Sequence, residues 1–130
     1  MTKAHTDLPV FCTFSFNPKG RTIMGLRPAM AAQRALEAGA SVVGANCGDG
    51  PEAIIAGLEG MRGVTELPLM AQANAGVPRA GEYAAAIWDV TPEQMADYAQ
   101  QFVDLGVQIV GGCCGTNPEF IAAITQRLKR

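Results

Sequence analysis

The chain has 130 residues, of which 48% are hydrophobic and 17% charged, with a formal net charge of −2. That length points to one domain and that apolar fraction to a packed core rather than disorder. The absence of a basic tract argues against a nucleic-acid or anionic-membrane surface, and no stretch approaches the roughly 18 apolar residues of a membrane span. The N-terminal MTKAHTDLPVF lacks the apolar run of a signal peptide, so a cytoplasmic protein is expected.

Four times a short apolar run is followed by a helical pattern. The first run is Pro9 to Phe16, followed by a turn at Asn17-Pro18-Lys19-Gly20 and a predicted helix from about Pro28 to Ala38, stopped by Gly39. The second run is Ser41 to Cys47; after Gly48-Asp49-Gly50, Pro51 opens a helix whose apolar face carries Ile54, Ile55, Leu58 and Met61. The third run is Leu67 to Asn74, and a long irregular segment, Val77 to Val90, separates it from the next helix. That helix starts with a capping box, Thr91-Pro92-Glu93-Gln94, and carries the stripe Met95, Tyr98, Ala99, Phe102 and Val103 up to Gly106. The fourth run is Val107 to Cys114, and Asn117-Pro118-Glu119 caps a last helix with Ile121, Ile124 and Leu128, ending in Lys129 and Arg130.

Strands alternating with helices at this spacing predict βα units on a parallel sheet, with strands buried on both faces. Cys47, Asn74, Cys113 and Cys114 all fall at the C-terminal ends of predicted strands. In parallel α/β folds that edge is where ligands bind.

Adjacent Cys113 and Cys114 are poorly placed to bridge each other, and thiols in such a chain more often bind metal or do chemistry. Glycines flank the pair in Gly111-Gly112-Cys113-Cys114-Gly115, which lets the backbone bend and approach a ligand, so metal binding is favoured over packing there. For Cys47 alone, packing and ligation stand level. Cys12, within its strand, reads as a packing residue. Three cysteines with an open fourth position make a candidate zinc site suited to a substrate that brings its own sulfur. Asn74 reads first as a turn-making residue, with an amide contact to metal or substrate as the alternative. His5, the only histidine, has no expected ligand role, and Tyr83 and Trp88 read as packing in the long loop.

These motifs resemble the homocysteine-binding, zinc-dependent S-methyltransferase family. The resemblance lies in Gly44-Ala45-Asn46-Cys47, in Asn74-Ala75-Gly76-Val77-Pro78 and in Gly111-Gly112-Cys113-Cys114-Gly115-Thr116-Asn117-Pro118. Gly20 to Gly25 and Thr91 to Ala96 are similar to the cobalamin-dependent methionine synthase branch. The resemblance implies zinc ligation by Cys47, Cys113 and Cys114, and matches Asn74 to an asparagine near the metal; Asn74 and Asn46 are the candidate substrate-binding residues. One departure is Ala73, where the family usually has proline. The implied fold is the C-terminal half of a (βα)8 TIM barrel over residues 1–130, since a whole barrel takes about 250 residues.

Several expectations follow from that resemblance. The activity is methyl transfer to a zinc-bound thiolate, most simply homocysteine, with a methylcorrinoid (cobalamin) on a partner protein as donor. Two alternatives are a corrinoid-pathway enzyme acting on another thiol, and a non-catalytic zinc-binding remnant. Four strands leave two open edges, so a homodimer or a complementary N-terminal half-barrel chain is expected to complete the assembly.

Overall fold

The structure is a computed structural model that describes residues 4–81 and 85–129. Tyr83 and Arg130 lie outside the described residues. The elements, in chain order, are β1 (Phe11–Phe14), α1 (Pro28–Glu37), β2 (Val42–Cys47), α2 (Pro51–Arg62), β3 (Leu69–Ala73), β4 (Arg79–Ala80), β5 (Ala86–Ile87), α3 (Pro92–Asp104), β6 (Val107–Gly112) and α4 (Pro118–Leu128). All four helices have a proline in the first turn. Its missing N–H falls where a helix has no acceptor for it, so each proline marks a start without weakening the helix. At α3 the capping box forms as read: Thr91 Oγ1 accepts from the Gln94 N–H, and Gln94 Oε1 accepts from the Thr91 N–H.

Four strands make one parallel sheet in the order β1-β2-β3-β6. The helices pack against one another in chain order, α1 on α2, α2 on α3, α3 on α4, over one face of the sheet. That sequential, one-sided winding is the arrangement of βα units in a barrel wall.

The core sits between sheet and helices. Val43, Ala45, Leu69, Ala71 and Ala73 point into it, and Ile54, Leu58, Met61, Met95, Ala99 and Phe102 meet them from the helices. The buried face of α1 is alanine alone, Ala31, Ala32 and Ala35, which lets that helix lie close to its neighbours. Gly44 serves the same end in the sheet: a Cβ there would come within 2.1 Å of the Met70 carbonyl oxygen.

Four expectations are corrected. The sheet is not covered on both faces. β3 alternates, with Leu69, Ala71 and Ala73 buried but Met70 and Gln72 only half-buried, and Phe11 on β1 is 51% exposed. Strands are also shorter than their apolar runs. β6 ends at Gly112, so Cys113 and Cys114 lie just past it, and Asn74 just past β3. On α4 the buried positions are Phe120 and Ile124, while Ile121 faces outward. Spacing by four, from 120 to 124 to 128, describes that helix better than a stripe through 121. The long loop is not wholly irregular either, since β4 and β5 form a small antiparallel ribbon.

Tyr98 on α3 donates its hydroxyl proton to Glu52 Oε1 on α2. That hydrogen bond, followed by burial and the carboxylate's charge, pushes the phenol up to about 12. Because the folded value lies above the ordinary value near 10, the pair's contribution to stability is whole below about pH 10 and is lost as pH rises through about 12. In a Tyr83→Phe background, which leaves one tyrosine, tyrosinate absorbance should stay small at pH 10, and Glu52→Gln should restore ionisation near that pH. Equal ionisation in both proteins would show that the pair does not form.

Candidate metal centre

Cys47, Cys113 and Cys114 come together, their sulfurs all within 4.8 Å of one another. Cys47 Sγ is 3.7 Å from Cys114 Sγ, and Cys113 Sγ is 4.0 Å from Cys114 Sγ. A tetrahedral ion with metal–sulfur bonds of about 2.3 Å places its sulfurs about 3.8 Å apart. The donor set therefore fits a thiophilic metal with three protein ligands. Cys12 lies apart from this cluster. It packs half-buried against the core, and burial pushes its thiol above the usual range. His5 is exposed and belongs to no such cluster among the described residues.

Backbone geometry aims the three thiols. Cys47 has φ 59°, the only positive φ among the described residues other than glycine, and this left-handed turn bends the chain where β2 ends. β6 hands over to a turn at Cys113–Thr116, closed by Thr116 N–H and Oγ1 donating to the Cys113 carbonyl at 3.2 and 2.7 Å. The same turn is sewn to the end of β3: Cys113 N–H donates to the Ala73 carbonyl, and Ala75 N–H to the Cys114 carbonyl, at 2.9 and 3.0 Å.

Asn74 links the two cysteine loops. Its Nδ2 donates to the Gly48 carbonyl at 2.9 Å and its Oδ1 accepts from the Cys114 N–H at 3.0 Å. The side chain is nearly buried, at 5% exposure. The structure thus places Asn74 between the loops, with both ends of its amide on backbone partners. Ala73 keeps its rung, paired with Cys47 on one side and Gly112 on the other, so alanine holds the strand end from which Asn74 projects.

Asn46 lies one row beneath the cysteines, in register with Gln72, which is in register with Gly111. Both amide residues are half-buried on the sheet face away from the helices. The sequence reading passed over Gln72, although its place two residues before Asn74 on the same strand puts it under the cluster. Ser15 Oγ donates to the Asn46 carbonyl at 2.9 Å and ties the end of β1 to this corner.

Partial burial raises the Cys47 thiol, but hydrogen bonds from Cys113, Cys114, Asn74 and the Gly48 backbone outweigh it and leave the thiol below its usual range. Cys114, bonded first to Cys47 and then to Cys113, is pushed up to about 11.

Asn74→Ala should leave the Gly48 carbonyl and the Cys114 N–H without their partners. Urea unfolding is expected to show a loss of about 1–3 kcal/mol, and a thiophilic metal should bind about 10–100-fold more weakly. Unchanged metal affinity in a folded Asn74→Ala protein would remove the residue from the site.

Comparison with known proteins shows which family the chain resembles. The family model for homocysteine S-methyltransferase matches residues 1–128. Methionine synthase of Mycobacterium tuberculosis is 30% identical over 134 residues, covering the whole of this chain and 11% of the relative. S-methylmethionine–homocysteine S-methyltransferase BHMT2 of Pongo abelii is 33% identical over 144 residues, covering 95% of this chain and 38% of the relative. Among solved structures, the metallated form of the homocysteine methyltransferase MmuM from Escherichia coli superposes with a TM-score of 0.75 at 25% identity, over 96% of this chain and 38% of that one. The chain spans well under half the length of each of these relatives. No helix among the described residues is long and apolar enough to cross a membrane. The chain belongs to the homocysteine S-methyltransferase family.

Proposed function

We propose that residues 1–130 form one half-barrel domain that holds zinc through Cys47, Cys113 and Cys114 and serves methyl transfer to homocysteine. The observation that carries this reading is the sulfur triangle, spaced for a tetrahedral ion at the C-terminal edge of a parallel sheet. Three protein thiolates leave a fourth position for a substrate sulfur, and zinc bound there supplies the positive charge that keeps a thiol ionised at neutral pH.

The chain's own residues then have distinct tasks. Cys47, Cys113 and Cys114 supply the ligands, and Asn74 keeps their loops at one separation. Asn46 offers its amide to the substrate from the row beneath. In the reaction the acceptor sulfur attacks the donor's methyl carbon. A carbon–sulfur bond forms as the donor's bond to that carbon breaks, and the electron pair leaves with the donor. The acceptor's thiol proton has by then gone to solvent. The segments Gly20 to Gly25 and Thr91 to Ala96 favour a methylcorrinoid on a partner protein as that donor, whereas the name of the BHMT2 relative points to S-methylmethionine.

Purified protein is expected to carry one zinc per chain. Cys113→Ser should lose most of it and Cys12→Ser should not; equal retention in both would sink the ligand assignment. X-ray absorption should show a fourth sulfur when homocysteine is added. An unchanged shell, with any completing half-barrel also present, would make the zinc structural or assign it another substrate.

Assembly belongs to the same proposal. β1 and β6 are the two edges of the sheet, and closing a barrel of this kind takes eight strands. A second copy or a complementary half-barrel would pair both edges and cover Phe11, Met70 and Ile109 on the uncovered face. Light scattering at micromolar concentration should give a mass above 13.6 kDa; a well-folded species at that mass would overturn the closure argument.

A further inference from the structure

We propose that Trp88 is a positioning residue for the metal centre: its indole seats the turn that carries Cys113 and Cys114. The inference rests on the three-cysteine metal reading, but its evidence is separate. A Cβ built on Gly115 would lie 2.2 Å from Trp88 Cδ2 and 2.6 Å from Cε2 and Cε3. The ring therefore fills the space that a side chain at residue 115 would need, immediately after Cys114. Gly115 also has φ +77°, a backbone state that favours glycine.

The chain after Asn74, over residues 75–81 and 85–90, grips the cysteine turn at both its ends. At its start, Ala75 N–H donates to the Cys114 carbonyl. It then runs out through the β4–β5 ribbon, with Arg79 in register with Ile87. On its return Trp88 comes down on Gly115. Asp89, the next residue, accepts from Arg79 Nε at 2.9 Å, and Val90 N–H donates to the Ala75 carbonyl at 3.1 Å. The ribbon's stem is closed on either side of the indole, which is half-buried against the core.

Gly115 is the most permissive residue in the turn, so without the ring the chain after Cys114 has many conformations to lose. The ring restricts that choice before any ion arrives. Preorganised ligands bind a metal more tightly, and loss of such outer support typically costs about 10–100-fold in affinity.

Two probes test this on the full chain: cobalt(II), and phenylarsine oxide, which bridges neighbouring thiols without needing a third ligand. Trp88→Ala should bind both about 10–100-fold more weakly, and Trp88→Phe should recover most of the loss. Wild-type affinity for both probes in Trp88→Ala would overturn the inference. Should the wild type capture the arsenical but not cobalt, the metal reading fails while the arsenical still decides the role of Trp88. Failure to capture either would overturn both. Since Trp88 is the single tryptophan, cobalt binding should also quench the wild type's fluorescence, even if Trp88→Ala does not fold. Cobalt binding without quenching would overturn the placement of the ring.

Discussion

The three thiols reach one point from strands that are not neighbours. β2 and β6 flank β3 on either side, and adjacent strands lie about 4.8 Å apart, so the two cysteine-bearing strands run about 10 Å from each other. Their sulfurs nonetheless lie within 4.8 Å. The chain meets this constraint by ending β3 at Ala73 and letting the loops after β2 and β6 close over it. Cys47 turns into the left-handed region to do so, at a cost of about 1–2 kcal/mol for a residue with a Cβ. Asn74, the first residue past β3, spans the gap that the shortened strand leaves.

The neighbours gathered around Cys47 also bear on its charge. Hydrogen bonding from Cys113, Cys114, Asn74 and the Gly48 backbone outweighs burial and holds the Cys47 thiol below its usual range, while Cys114 is pushed up. Further ionisation places like charges within 4.8 Å of one another, a repulsion that a divalent cation at the centre offsets. Geometry and electrostatics thus both suit the metal proposed above.

Much of this was legible in the sequence, for identifiable reasons. Helix starts were marked by prolines at 28, 51, 92 and 118, which act locally and survive into the fold. The placing of Cys47, Cys113 and Cys114 at strand ends carried the site, because parallel sheets align those ends on one edge. Apolar runs overstated the strands. A run such as Val107 to Cys114 does not reveal that the ladder stops at Gly112 so that the thiols can turn. Burial on both faces was also misread, since β-branched and apolar residues line a barrel's inner face whether or not the other half is present. The packing of Trp88 on Gly115 joins segments 27 residues apart, and no local pattern announces it. Asn74 was read first as a turn-making residue, but its amide instead bridges the Gly48 carbonyl and the Cys114 N–H, contacts that exist only when two loops are in space together.

The unfinished face of the sheet bears on metal and substrate differently. Every group that shapes the sulfur triangle lies within this chain: Cys47, Asn74, the Cys113–Thr116 turn and the loop that carries Trp88. Their hydrogen bonds join the loops after β2, β3 and β6 along the sheet's edge. The side of the cluster above Asn46, Gln72 and Gly111 opens instead onto the uncovered face, beside Met70 and Ile109. An acceptor sulfur is a small group that the edge alone can hold. In the proposed reaction, the rest of an amino-acid acceptor would lie over that open face. On the proposed reading, metal binding would draw on these groups at the sheet's edge, and substrate binding also on whatever covers the open face.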